Sequence, residues 1–282
     1  TPTHSASSAA SDVYKRQYLI RLISEKTVLF TEMIHSNAIL YGNKNKLEEY
    51  SENENPIVLQ LGGNDPESLA KVSKMANMFN YDEINLNLGC PSPRVSNGGF
   101  GAAMMNHPQL VCDCLNAIKE NFNKEVSVKI RLGTDDNDID ETLDNFVKEI
   151  ESCDIKIFYV HARKAILKGL SPKQNREIPP LNYERVRKLK DDFPDLEIII
   201  NGGIKKLSFL QDNDLQNLDG IMIGREAYSN PLIFKDVDKK IKAELNRDIS
   251  IYEITQKMFD YFESLENESH VKRGLIHMHG LF

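Results

Sequence analysis

The stretch Asn85-Leu86-Asn87-Leu88-Gly89-Cys90-Pro91-Ser92-Pro93 decides how the rest of the chain is read. Ile84, Leu86 and Leu88 alternate with Asn85 and Asn87, a period of two that puts the apolar set on one face of a strand and the amides on the other. Gly89 and the two prolines then forbid both a continued ladder and an immediate helix, so the Cys90 thiol sits on a constrained loop at the C-terminal end of that strand. Such a cysteine is either a packing residue or a chemical group, and spacing alone leaves both open.

On either side of this stretch, strands and helices alternate. Upstream the pattern gives a helix over 18–24, strands over 28–31 and 57–61, and a helix over 66–79 whose start is marked by Asp65-Pro66-Glu67. Downstream it gives helices over 108–121, 140–151, 182–192 and 205–211, interleaved with strands over 126–131, 156–161, 197–200 and 220–223. Alternation of this kind means βα units and parallel strands. The strands number seven, one short of a closed eight-stranded barrel, and the only place for the eighth is ahead of the first helix. There, residues 1–17 are rich in Ser, Ala and Thr and follow neither period. The expectation is an α/β fold: a (β/α)8 TIM-type barrel over 18–233 whose first strand is missing or replaced, with 1–17 set aside as a non-native or disordered segment. Beyond Pro231 the pattern becomes helical only, over 234–246 and 250–267, with Ile254, Met258, Tyr261, Phe262 and Leu265 on one face. Residues 234–282 are therefore read as a helical domain, truncated at Gly280-Leu281-Phe282.

Length and composition bound the function. A chain of 282 residues suits a barrel with a small appendage. No apolar run approaches the ~20 residues of a membrane span, and no signal-peptide pattern is present, so the reading is a soluble protein of the cytoplasm with an organellar compartment left open; a monomer is expected, though nothing in the sequence fixes the oligomeric state. Four cysteines imply no disulfide framework, and with the scattered histidines they make no metal constellation. Cys112, Cys114 and Cys153 are read as packing residues. The net charge of −7 argues against a generic nucleic-acid binder. Against that total, His161 to Arg176 carries Arg163, Lys164, Lys168, Lys173 and Arg176 without one acidic residue, either a solvated loop or a local phosphate-binding surface.

Strand phase locates a site. In a barrel, the C-terminal ends of the strands build the mouth. Gln60, Asn87, Lys129 and His161 each stand near the end of a different strand, Lys129 in phase with Ser127 and Arg131, and His161 in phase with Tyr159. Four polar residues converging beside a Gly-Cys-Pro loop make a site, whereas one alone would be a satisfied core group. After the last two strands, Asn201-Gly202-Gly203 and Gly224-Arg225 offer glycine amides, a helix start and a guanidinium, an anion cradle where such barrels hold phosphate. A flat phosphorylated cofactor across the barrel top suits these groups, and flavin mononucleotide (FMN) fits, with Lys129 beside the pyrimidine part of its ring. These residues speak for phosphate more strongly than for flavin.

With these residues in view, the chain from Tyr18 to Phe282 resembles the tRNA-dihydrouridine synthases, in particular those acting on D-loop uridines 20 and 20a. The resemblance is carried by Leu59-Gln60-Leu61-Gly62-Gly63, by Asn85 through Ser92, and by His161-Ala162-Arg163-Lys164-Ala165 with Asn175-Arg176-Glu177-Ile178-Pro179-Pro180-Leu181. It implies that Gln60, Lys129, His161, Asn201, Gly202, Gly203, Gly224 and Arg225 hold FMN, that Cys90 is the proton donor, and that Asn87, Lys173 and Arg176 contact the D-arm of tRNA. It further implies reduction of the flavin by NADPH, hydride delivery to uracil C6 and protonation of C5 by Cys90 on a base flipped out of its stack. The family's Ala-Pro-Met type first strand has no counterpart in 1–17, and Ile276 and His279 stand where the family carries an arginine and a leucine. The competing readings are an FMN barrel reductase of a small free pyrimidine or enoate, and a non-catalytic RNA-binding fragment that holds no flavin.

Overall fold

The computed structural model describes residues 3–6, 13–48, 54–211, 217–238 and 250–263. Nine parallel strands form the sheet: β1 (Thr3–Ala6), β2 (Val28–Phe30), β3 (Ile34–His35), β4 (Ile57–Gly62), β5 (Glu83–Asn87), β6 (Glu125–Arg131), β7 (Ile157–His161), β8 (Glu197–Asn201) and β9 (Gly220–Ile223). β2 and β3 pair with successive parts of one edge of β4, Leu29 opposite Ile57 and Ile34 opposite Leu61. β1 pairs with β2 on one side and β9 on the other, so the sheet closes on itself as a barrel.

This closure corrects the reading of the N-terminus. Residues 1–17 were expected outside the fold, yet Thr3–Ala6 fills the place of the eighth strand and the first helix, α1 (Val13–Ile23), begins five residues earlier than the apolar pattern suggests. Gln17 is buried and donates from Nε2 to the Phe30 carbonyl at 2.6 Å. The first strand is thus replaced, not missing.

The following helices are α2 (Ser36–Leu40), α3 (Pro66–Ala76), α4 (Pro93–Asn97), α5 (Pro108–Lys119), α6 (Glu141–Ser152), α7 (Tyr183–Asp192), α8 (Arg225–Ser229) and α9 (Ile251–Glu263). Local chemistry starts them where expected. Asp65 caps α3 by accepting from the Ser68 amide at 3.1 Å, with Pro66 at the first turn, where its missing N–H costs nothing. α4 departs from the expectation that the two prolines forbid an immediate helix: Ser92 accepts from the Val95 amide at 3.3 Å and Pro93 starts the helix three residues after Cys90. The segment near 205–211 is a 3-10 turn, Leu207–Gln211, and Pro231–Asp236 is another. Residues 237 and 238 are helical, while 239–246 of the expected 234–246 helix, Leu265 and the segment from Ile276 to Phe282 lie outside the described residues.

Strand alternation divides the apolar residues into two cores. The larger lies between the barrel and its helices, where Leu59, Leu61, Ile84, Leu86, Val128, Ile130, Val160 and Ile200 meet Leu69, Val72, Leu115, Phe146 and Val186. Burial at roughly 1.5–3 kcal/mol per large aliphatic side chain makes this the main source of stability. The smaller core fills part of the barrel interior with Phe30, Val58, Tyr159, Ile199 and Met222. The two cores use opposite faces of the same strands, so the period that sends Leu59 outward sends Gln60 inward. Cys112 on α5 and Cys153 at the end of α6 are joined by a disulfide, correcting their reading as separate packing residues; Cys90 and Cys114 are free. Neighbouring helices on one side of the barrel bring the two sulfurs together, a juxtaposition that their spacing of 41 residues conceals. No helix of the described residues is long and apolar enough to cross a membrane.

Candidate active site

The C-terminal ends of the strands open into a cavity of about 1040 Å3. Its walls include Gln60, Asn87, Cys90, Lys129, His161, Arg176, Asn201, Gly202, Gly203, Gly224 and Arg225. The structure therefore brings together every site residue expected from the sequence except Lys173, which is exposed on the 163–176 loop and does not line the cavity. Glu32, Met33, Arg131, Lys205 and Tyr228 also line it and were not anticipated as site residues.

Asn87 fixes the Cys90 loop. Its Oδ1 accepts from the amides of Gly89 at 3.1 Å and Cys90 at 3.0 Å, while its Nδ2 donates to Gln60 Oε1 at 2.8 Å. The loop is tightened from the far side by Gly101, which adopts a φ of 65° and whose Cβ, if it had one, would stand 2.7 Å from the Cys90 carbonyl oxygen. That oxygen accepts from the Ala102 amide at 3.0 Å. The thiol is half-buried in the cavity wall.

Arg131 braces two loops. Its Nε donates to the Gly89 carbonyl at 3.0 Å, and one Nη donates to the carbonyls of Lys164 at 3.1 Å and Asn175 at 2.9 Å. Asn175, fully buried, closes the basic loop on itself by accepting from the Ile166 amide at 2.8 Å and donating to the Ile166 carbonyl at 2.9 Å. Several cations counted in this loop are committed within the protein. Arg163 donates to the Pro179 carbonyl, and Lys164 to the Asn137 carbonyl at 2.7 Å. Lys168 and Lys173 are exposed, and Arg176 stands in the cavity wall.

Burial sets the charge state of the site. Burial and the neighbouring Arg131 bring Lys129 down to about 7, partly offset by Cys90, so the amine is in part neutral near pH 7. This refines the expectation of a fixed cation. Burial and the flanking charges of Arg131 and Lys129 hold His161 well below the usual imidazole range, leaving a neutral ring. Lys129 Nζ donates to Asn201 Oδ1 at 3.3 Å, and Asn201 Nδ2 donates to the Met222 carbonyl at 2.7 Å. Arg225 pairs with Glu177 at 3.3 Å on the exposed rim, a contact of small energetic weight that a ligand can displace. At Gly202, φ is 116° and a Cβ would stand 2.7 Å from His161 Cδ2, so only glycine leaves this wall open. Among the described residues no group of three His, Cys, Asp or Glu could hold a metal ion.

A family model described as dihydrouridine synthase matches residues 9–281. A tRNA-dihydrouridine(20/20a) synthase of Escherichia coli (strain K12) is 47% identical over 268 residues, 94% of this chain and 77% of that protein. One from Vibrio parahaemolyticus is 48% identical over 268 residues, covering 94% and 82%. Among solved structures, morphinone reductase matches with a TM-score of 0.60 at 10% identity, over 84% of this chain and 85% of that one. A second structure of morphinone reductase, in complex with tetrahydroNAD, matches at 0.56 and 11% identity over 83% and 86%. At such identity these two speak for the barrel fold alone.

Proposed function

The chain belongs to the dihydrouridine synthase family, and we propose that it reduces uridine at position 20 or 20a of the tRNA D-loop to 5,6-dihydrouridine, using bound FMN and NADPH. The observation that carries this reading is the placement of Cys90 in the wall of the same cavity as Lys129, His161, the Asn201 turn and Arg225. One cavity then has an acid on one side and anion-binding groups on another.

The residues present fit FMN. Gly202 leaves a recess that any Cβ would fill, where a bare glycine lets a ligand approach the backbone. Gln60, Lys129, His161, Asn201, Gly202 and Gly203 would hold the ring system and its chain, and Gly224 with Arg225 the phosphate. When bound, FMN supplies hydride, replenished from NADPH, to uracil C6. This chain's own part is to hold and place a proton. Cys90 Sγ carries it to C5 on a loop whose amides are pinned by Asn87 Oδ1. Neutral His161 offers hydrogen bonding without repelling Lys129. Lys129 takes on full charge as an anionic group settles beside it. Lys173 and Arg176 bind tRNA, with Asn87 touching the extruded base. The closed barrel supports retention of flavin, which the reading as a flavin-free fragment denies.

The test is incubation of the protein with FMN, NADPH and unmodified tRNA, followed by nucleoside mass spectrometry. Dihydrouridine at position 20 or 20a is expected. Absence of dihydrouridine together with turnover of a free pyrimidine or an enoate would replace this reading with that of a small-molecule reductase.

A further inference from the structure

The barrel interior contains a hydrogen-bonded chain of which the mechanism above uses only the first link, Asn87 to the Cys90 loop. It starts at the amides of Gly89 and Cys90, which donate to Asn87 Oδ1 at 3.1 and 3.0 Å. Asn87 Nδ2 donates to Gln60 Oε1 at 2.8 Å, Gln60 Nε2 to Asn85 Oδ1 at 2.9 Å, and Asn85 Nδ2 to Ser127 Oγ at 2.7 Å. Ser127 Oγ donates to Glu83 Oε1, and Tyr159 donates from its hydroxyl to Glu83 Oε2 at 3.3 Å. Every side chain in this chain is buried, Asn85 and Ser127 completely. The strand register makes it possible: Gln60, Asn85 and Ser127 stand opposite one another on β4, β5 and β6.

The chain runs one way. A backbone amide can only donate, so Asn87 must turn its oxygen to the Cys90 loop and its nitrogen to Gln60. Gln60 and Asn85 are then each left with one orientation, and the Ser127 hydroxyl, accepting from Asn85, donates its own proton onward to Glu83. Its receiver must accept; a carboxylate does, and an apolar side chain does not. Aligned donors also polarise one another, so the far end is felt at the near end.

We infer that Glu83 is a positioning residue for the active site: by terminating this chain it fixes which atoms Gln60 presents to the cofactor and where Asn87 holds the Cys90 loop. The inference rests on the proposed flavin-dependent reading of the cavity. It assigns Asn85 and Ser127 the same role, as links between Glu83 and the mouth.

The test compares Ser127→Ala, Glu83→Leu and Glu83→Gln with Val147→Ala, a cavity-forming change in a buried residue of α6 that belongs to the larger apolar core and is not a member of this chain. FMN dissociation constants, the alkylation rate of Cys90 by iodoacetamide in flavin-free protein, and Tm are measured for each. Ser127→Ala and Glu83→Leu are expected to weaken FMN at least tenfold and to change the Cys90 alkylation rate at least threefold. Glu83→Gln, whose amide oxygen still accepts from Ser127, should remain within threefold of wild type on both. Val147→Ala should lower Tm while leaving both readouts within threefold. The inference is overturned if Ser127→Ala matches wild type in either readout, or if losses across all four variants simply follow Tm. Should Glu83→Leu fail to fold, Ser127→Ala decides. A wild-type protein that binds no FMN and makes no dihydrouridine would instead overturn the flavin reading itself, a result separate from any difference among variants.

Discussion

Lys129 Nζ and Asn201 Oδ1 stand 3.3 Å apart across the barrel mouth, joining β6 to β8 over the intervening strand. The partner of the amine in this contact is a neutral amide. That explains why burial and Arg131 can bring it down to about 7, against an ordinary lysine near 10.5. Below pH 7 the free protein already carries the proton; at pH 8 most molecules do not. The oxidised ring is neutral, whereas the reduced ring is an anion that beside Lys129 restores the proton, so binding of reduced FMN at pH 8 should take up to about one proton more than its binding at pH 6. Calorimetry in buffers of different ionisation enthalpy measures this uptake. Comparison with Lys129→Met cancels the titration of FMN itself, and equal uptake by the two proteins would refute the assignment.

Replacing Cys90 with Ala removes the thiol proposed as proton donor without touching the amides that Asn87 holds. Reduction of bound FMN by NADPH should continue, while single-turnover formation of dihydrouridine slows by about 10²-fold or more, the usual contribution of a positioned acid. Rapid-mixing absorbance follows the first step and mass spectrometry the second. Loss of both together would mean that the residue supports the loop and not the chemistry.

Lys173 and Arg176, grouped by sequence, occupy different places: one exposed on the loop, the other in the cavity wall. Lys173→Ala should therefore remove a phosphate contact and make the dependence of log affinity for tRNA on log salt shallower by about 0.7–0.9. Its rate at saturating tRNA should not change. Arg176→Ala should lower that rate as well. Filter-binding titrations between 50 and 200 mM salt, roughly the range over which such contacts are weakened, supply the slopes. A Lys173→Ala slope equal to that of wild type makes the loop a solvated surface.

Glu83 supplies a pH dependence of stability. Burial pushes its carboxyl up to about 7 from an ordinary 4.5, against the hydrogen bonds from Ser127 and Tyr159; Glu125 and Glu197 push it further up. The folded protein therefore holds a proton that the unfolded chain releases as pH rises from 4.5 to 7. Stability from this group is full below that window and is lost across it, by an amount on the order of 3 kcal/mol. Urea unfolding of Glu83→Gln should show a smaller decline between pH 5 and 8 than wild type does. Parallel curves would exclude Glu83 as the titrating group.

Most of the barrel was legible because buried parallel strands and amphipathic helices carry different periods, and phase alone sent Gln60, Asn87, Lys129 and His161 to the mouth. Thr3–Ala6 escaped because a four-residue segment of Thr, His, Ser and Ala carries no apolar signal; its place is set by pairing with β2 and β9. Ile34–His35 is too short for a period to register. Pro93 was misjudged because proline stops a helix in its interior but suits its first turn. The bracing by Arg131 and the linking of Cys112 to Cys153 depend on residues distant in sequence, where local pattern is silent. The charge of Lys129 was misjudged for a related reason: desolvation is a property of the finished cavity.

Arg16 on α1 donates to the Ala227 carbonyl on α8 at 3.0 Å across 211 residues of sequence, beside the junction where β1 joins β9. A ribosome that has made the first half of this protein has therefore made a sheet with two unpaired edges, on β1 and on β6. The segment that completes it must wait until the last strand emerges. For most of synthesis the nascent chain exposes strand borders able to pair with any neighbour, and a chaperone has its longest opportunity before Gly220–Ile223 appears.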